Sequence, residues 1–216
     1  MIDLKRYRVV DLSKEVRPGI LKLDGSYVHG SEVRRLEARQ FVYQPDKTFM
    51  HWVETETHLG THVECPSHFI KNGKDVSALP ITTFMGEAIG LNLKYKGPGE
   101  PLTPNDLEKA GVKAGDILIM WSPYKGEERP YISREAAEWI AKKGVKLVGV
   151  DDSIRVEQSL ELMATHSLLL GNDVPIVEGL ANLNQLKKTR FFFIGLPLRI
   201  KGLDASWIRA VALEET

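Results

Sequence analysis

The chain has 216 residues, 43% of them hydrophobic and 27% charged. That is enough apolar material for one ordinary core and an ordinary globular surface. Lys+Arg and Asp+Glu stand at 29 each, so no net field draws nucleic acid or an anionic membrane to it. The single cysteine, Cys65, excludes an internal disulfide and fits a reducing, cytoplasmic setting. The first residues, Met1 to Tyr7, are charged and carry no apolar segment of the kind a secretory signal needs. No run approaches the ~20 apolar residues of a membrane span.

The elements follow in chain order. Tyr7 to Leu12 is a short, mostly apolar run that reads as a strand. Pro18, Gly19, Gly25 and Gly30 then punctuate a loop-rich stretch. Arg39 to Tyr43, Met50 to Val53 and Ala88 to Leu93 are further candidate strands. Thr103-Pro104 starts a helix that should stop near Gly111. Asp116 to Trp121 is almost wholly apolar, as a strand buried on both faces would be. Ser133 caps a helix through Lys143 that Gly144 stops, and Val145 to Val150 is another buried strand. Glu157 to Leu170 reads as a helix ending at Gly171, with strands at Val174 to Val177 and Phe191 to Leu196. Strands mixed with at least three helices predict one α/β domain.

Six histidines occur in all, and four of them, His51, His58, His62 and His68, crowd into one stretch. The densest part runs His58-Leu59-Gly60-Thr61-His62-Val63-Glu64-Cys65-Pro66-Ser67-His68. Imidazole with carboxylate is a ligand set suited to zinc, manganese or iron. His58 and His62 could stand i, i+4 on a helix, but Gly60, Thr61 and Val63 are poor helix formers and Pro66 ends any helix. A straight strand would hold His58 and His62 ~13 Å apart, too far for one ion. A bent backbone is therefore expected, with Gly60 as the bend. His68 is either a further ligand or a free imidazole whose pKa near ~6.5 suits proton transfer, and the second role is favoured. Cys65 points away from the ligands if the backbone is extended there. His29 and His51 read as structural, with a place near the site as the alternative for His51. Farther on stand His166 and Glu178, the latter closing an apolar run before Gly179. A carboxylate at a buried strand end needs a partner, and a metal would be one. Thr61 or a backbone amide is a candidate oxyanion support. Phe69, Trp121, Tyr124 and Trp207 are candidates for an apolar pocket wall.

Together these residues resemble a family, the cyclase-like metal-dependent hydrolases that include bacterial kynurenine formamidase (arylformamidase) and isatin hydrolase. The family pattern is His-x-Gly-Thr-His-x-Asp-x-Pro-x-His, met here by His58, Gly60, Thr61, His62, Pro66 and His68. His166 and Glu178 match its later signature, and Val10 to Ser13 and Leu196 to Gly202 are also similar. Two positions depart from it. Glu64 replaces the Asp, and Gly202 to Trp207 replaces Gly-Gly-Asp-Gly-Ser-Pro. The resemblance implies an α/β fold of the swivelling β/β/α type, with a mixed central sheet in a single domain over 1–216. It implies a homodimer or homotetramer. It also implies one or two divalent ions, zinc or manganese. His58, His62 and Glu64 would hold one ion, Glu64 would bridge to a second with His166 and Glu178, and His68 would be catalytic. The expected activity is hydrolysis of a small amide, an N-formyl arylamine or cyclic amide, by metal-activated water. The partner is a small-molecule substrate, with no nucleic acid and no membrane. A metal-dependent lyase or cyclase, or a binding protein without turnover, are the rival readings.

Overall fold

A computed structural model describes residues 3–18, 36–159 and 163–216. The strands in its first half are β1 (Tyr7–Asp11), β2 (Leu36–Tyr43), β3 (Thr48–Thr55), β4 (His62–Glu64), β5 (Met85–Asn92) and β6 (Pro101–Leu102). Helix α1 (Pro104–Ala110), β7 (Ile117–Trp121), β8 (Tyr131–Ile132), α2 (Arg134–Lys143) and β9 (Leu147–Asp151) follow. The chain closes with α3 (Ala164–Gly171), β10 (Ile176–Leu180), β11 (Arg190–Ile194), β12 (Ala205–Trp207) and β13 (Val211–Glu215).

Nine strands form one mixed sheet in the order β1-β13-β11-β5-β7-β9-β10-β4-β12. Its centre, β5-β7-β9-β10, is parallel, and β4 joins β10 antiparallel. Both faces are covered, which is why the central strands read as nearly unbroken apolar runs. Leu118 and Met120 of β7 face one core with Ala136, Ile140 and Leu169 of the helices. Ile117 and Ile119 face the other, with Leu12, Phe84 and Phe193. The alternation is the two-residue period of a strand. The helices start and stop as their caps dictate. Ser133 Oγ accepts a hydrogen bond from the Ala136 backbone N–H at 3.1 Å. Asp106 closes the first turn of α1 by accepting from the Thr103 N–H at 2.8 Å.

The third helix is shorter than the sequence suggests. It begins at Ala164 rather than Glu157, and residues 160–162 lie outside the described set. Glu157 instead caps the helix from outside, accepting from the backbone N–H of Thr165 at 3.1 Å and of His166 at 2.7 Å. The punctuated stretch with Gly19, Gly25, Gly30 and His29 also lies outside the described residues. Strands β2 and β3 are longer than expected and pair only with each other, in register from Leu36 opposite Thr55 to Tyr43 opposite Thr48. His51 sits exposed on this hairpin opposite Gln40.

Candidate metal centre

The two sequence constellations meet on three adjacent strands. The β4–β10 register sets His62 opposite Glu178, and the β4–β12 register sets Glu64 opposite Ala205. His62 and Glu64 are two residues apart and share a face, as expected for an extended backbone. Before them the chain bends. Gly60 has φ +60° and Gly179 has φ +67°. A Cβ on Gly179 would fall 2.3 Å from the Gly60 carbonyl oxygen, so the two segments cross at a distance that only glycine permits. Past β4, Pro66–His68 turns as a short 3-10 helix and returns His68 to the same site.

Glu64 lies at the centre and is buried. Its Oε1 is 2.9 Å from His58 Nδ1, 3.6 Å from His62 Nε2 and 3.9 Å from His68 Nε2. Its Oε2 faces the other way, 3.3 Å from His166 Nε2, which is itself 3.7 Å from Glu178 Oε1. Two groups of donor atoms, His58-Glu64-His68 and His62-Glu64-Glu178, each lie within 4.8 Å of one another and are compatible with an ion. Glu64 belongs to both. The structure thus brings His58, His62, Glu64, His68, His166 and Glu178 together. His68 falls among the donors as well as beside them.

The outer contacts fix which ring nitrogen faces inward. His62 Nδ1–H donates to the Gly60 carbonyl at 3.0 Å, which leaves Nε2 as a lone-pair donor. That Nε2 is buried without a hydrogen bond, and Glu64 Oε2, also buried, has only the 3.3 Å approach of His166 Nε2. Orphaned polar atoms are costly unless something unseen satisfies them. A divalent cation between an imidazole and a carboxylate would do so, and the donor set suits zinc or manganese. His166 Nδ1 is held by Glu157 at 2.8 Å, and Asp204 reaches both His58 Nε2 at 2.8 Å and His68 Nδ1 at 3.0 Å. Carboxylates behind imidazoles orient metal ligands in this way.

The electrostatics agree with a cation site. Four carboxylates, Glu64, Glu157, Glu178 and Asp204, surround four imidazoles. Burial opposes charge on Glu64, yet the neighbouring imidazoles of His166, His58 and His62 hold its carboxyl well below the usual range. Burial likewise opposes charge on His166, but Glu157, Glu178 and Glu64 outweigh it and raise the imidazolium to about 11. His58 is raised against its burial by Glu64 and Asp204. Asp204 is lowered to about 2, against its own burial, by His58, His68 and Thr57. A pocket that holds protons this firmly is one where a metal and protons compete for the same ligands.

Glu157 and Asp204 escaped the sequence reading. Asp204 stood inside a segment noted only for departing from the family pattern. No local signal marked Glu157, because its role depends on where α3 begins. Thr61 needs correction. Its hydroxyl donates to the Gly179 carbonyl at 2.6 Å and accepts from the Lys14 N–H at 2.8 Å, so it ties segments together and is not free to hold an oxyanion. Trp121 packs against the sheet core and the Tyr124 hydroxyl donates to the Lys96 carbonyl at 2.5 Å, and both line a cavity that shares Arg129, Asp151 and Asp152 with the one beside His166. Phe69 is at the site, its ring 6.2 Å from that of His166. Trp207 lies opposite His62 in the ladder, with its indole N–H on the Glu56 carbonyl at 3.1 Å. Cys65 faces the core, and burial pushes its thiol up to about 12. A cavity of about 650 Å³ opens beside His166 and Glu178.

The chain is similar to known proteins in sequence and in fold. The chain is 28% identical over 212 residues to a kynurenine formamidase of Erythrobacter litoralis (strain HTCC2594), covering 96% of this chain and 94% of that one. The fold matches isatin hydrolase A from Ralstonia solanacearum with a TM-score of 0.77 at 22% identity, covering 98% of this chain and 93% of that one. Isatin hydrolase A from Labrenzia aggregata, bound to benzyl benzoate, gives 0.76 at 21% identity, covering 98% and 95%. The family profile described as putative cyclase matches residues 10–154, and the chain belongs to that family.

Proposed function

We propose that this chain is a metal-dependent amidohydrolase that cleaves a small amide, an N-formyl arylamine or a cyclic amide. The observation that carries the reading is the buried His62 Nε2, which has no hydrogen-bond partner and faces Glu64 inside a shell of imidazoles and carboxylates. The kynurenine formamidase and isatin hydrolase relatives support the same class of reaction. His58, His62, Glu64, His166 and Glu178 would hold one or two ions of zinc or manganese. Such an ion would polarise the amide carbonyl and acidify a water molecule.

The chain's own residues then manage the proton. His68 Nδ1–H donates to Asp204 Oδ2, so Nε2 is left as the basic nitrogen, and it faces the Glu64 side of the site. Nε2 takes the proton of the attacking water and delivers it to the departing nitrogen. Asp204 holds the ring in this tautomer and orientation. Phe69 and Trp207, both part-exposed at the rim, offer the leaving group apolar surface. A second reading makes His68 a ligand, because its nitrogen lies in one donor group with His58 and Glu64. His68→Ala separates the two: a proton shuttle is lost with metal retained, a ligand is lost with its metal.

We also read the chain as one domain over 1–216, acting in the cytoplasm as a homodimer or homotetramer. The hairpin β2–β3 supports the assembly. Phe41 and Met50 face one side of it and Val42 and Phe49 the other, all exposed. A lone two-stranded hairpin is marginal in water, and a second copy would cover it. Among the described residues no helix is long and apolar enough to cross a membrane.

The test is elemental analysis of the purified protein, then hydrolysis of formanilides, cyclic amides and lactones with the metal found. Bound zinc or manganese, and formanilide or cyclic-amide turnover that a chelator abolishes, is the expected result. Metal-independent turnover or none would overturn the reading.

A further inference from the structure

The helices cover only part of the sheet. On their side of it β5, β7, β9 and β10 bury Ile89, Leu118, Met120, Val148 and Ile176. The same face runs on through β11, β13 and β1, because Arg190 stands opposite Ile89, Phe192 opposite Leu213 and Leu213 opposite Val9. Among the described residues, none from those three strands belongs to the helix-side core. An antiparallel sheet left open on one side usually alternates apolar inward with polar outward. Here the outward positions include Tyr7, Val9, Val211, Leu213, Phe192 and Ile194, all at least part-exposed, with Val9 at 55%. A contiguous apolar patch on a folded surface marks a contact.

The rim identifies the partner. A hollow of about 480 Å³ in this face is bordered by Glu87 and Lys188. Glu87 lies opposite Phe192, and both charged residues are exposed. Among the described residues neither has an ion-pair partner. Lys188 Nζ donates to a neutral group, the Glu215 carbonyl. Arg190, on the same border, is committed to Asp116, with Nη1 and Nη2 each 3.0 Å from a carboxylate oxygen. One patch thus offers one unpaired carboxylate and one unpaired ammonium. An acidic or a basic partner would match one and repel the other. A second copy turned by a two-fold axis satisfies both, because each Glu87 then faces the other copy's Lys188.

We propose that the outer face of β1, β13 and β11 is a two-fold contact between copies of this chain, closed at its rim by Glu87 of one copy and Lys188 of the other. This contact goes beyond the hairpin contact and does not depend on it. Two different two-fold contacts in one chain close a tetramer.

The experiment uses the full chain carrying Phe49→Lys and Trp52→Glu, so that the hairpin contributes nothing. Mass is read by sedimentation velocity over a dilution series. This protein should still form dimers. Adding Glu87→Lys, or adding Lys188→Glu, should weaken the dimer at least ~10-fold, because like charges then meet twice. An equimolar mixture of the two charge variants should recover it, since one copy then carries only positive charge at the two positions and the other only negative. Phe192→Ser should weaken the dimer roughly 100-fold, the scale of a lost aromatic anchor. Thermal melts by circular dichroism show that each variant folds. Three outcomes overturn the proposal: a monomeric starting protein, which leaves the face to another occupant; charge variants that associate as it does; or a mixture no tighter than either variant alone. The hairpin reading fails separately, if wild type and the Phe49→Lys, Trp52→Glu protein assemble alike.

Discussion

Two regions of this molecule break the rule that charge goes outside and grease inside, and they break it in opposite ways. At the metal centre Glu64, His62 and His166 are buried among one another. On the β2–β3 hairpin Phe49 is 71% exposed and Trp52 66% exposed. Each violation is costly in isolation. The centre is nonetheless over-determined: nearly every side chain in it is held by a second carboxylate or a backbone carbonyl. In the ladder the hairpin strands pair only with each other among the described residues, and residues 39–54 are exposed. The contrast teaches that a buried cluster can be organised by the fold before its ion arrives, whereas an exposed apolar arm has no such internal support and depends on what covers it.

The largest expected effect would sharpen the first half of that contrast. His68→Ala should lower kcat by roughly 10³-fold, the scale of lost general acid–base catalysis, with metal content unchanged. Loss of metal in that variant would make His68 a ligand. The next test addresses the hairpin. Phe49→Lys with Trp52→Glu should weaken self-association by roughly 100-fold or more, read by sedimentation velocity across a dilution series, because buried aromatic anchors contribute most of an interface's energy. A protein that is monomeric before the change would break the comparison, since the arm would then be tolerated bare. A smaller effect is expected behind the ligands. Asp204→Asn should reduce activity or metal affinity about 10- to 100-fold, the usual loss when the group orienting a ligand is altered. The smallest is on stability. Gly179→Ala puts a Cβ against the Gly60 carbonyl at a positive φ and should cost about 1–3 kcal/mol by chemical denaturation.

Much of this architecture was legible in the residues. Capping at Thr103 and Ser133, and the stops at Gly111 and Gly144, mark α1 and α2 because those signals are local. The apolar runs at β7 and β9 announce strands covered on both faces. The bend at Gly60 followed from ligand reach alone. What could not be read depended on pairings between distant segments. The start of α3 was missed because Glu157, which caps it, looks like any helical glutamate in sequence. Asp204 was passed over because its partners, His58 and His68, lie more than a hundred residues away. Thr61 is a candidate for oxyanion support in sequence, but its hydroxyl is spent on the Gly179 carbonyl, a neighbour the chain supplies only after folding.

The crossing of residues 60 and 179 has a thermodynamic meaning as well. The Gly60 carbonyl that approaches so closely is the one that receives the His62 Nδ1 proton. The orientation of that imidazole is therefore settled when the chain folds, and its rotational entropy is surrendered then and not on loading. An incoming ion meets a nitrogen already aimed. With His62 as a ligand, the missing side chain at Gly179 would tighten affinity for a group it never touches.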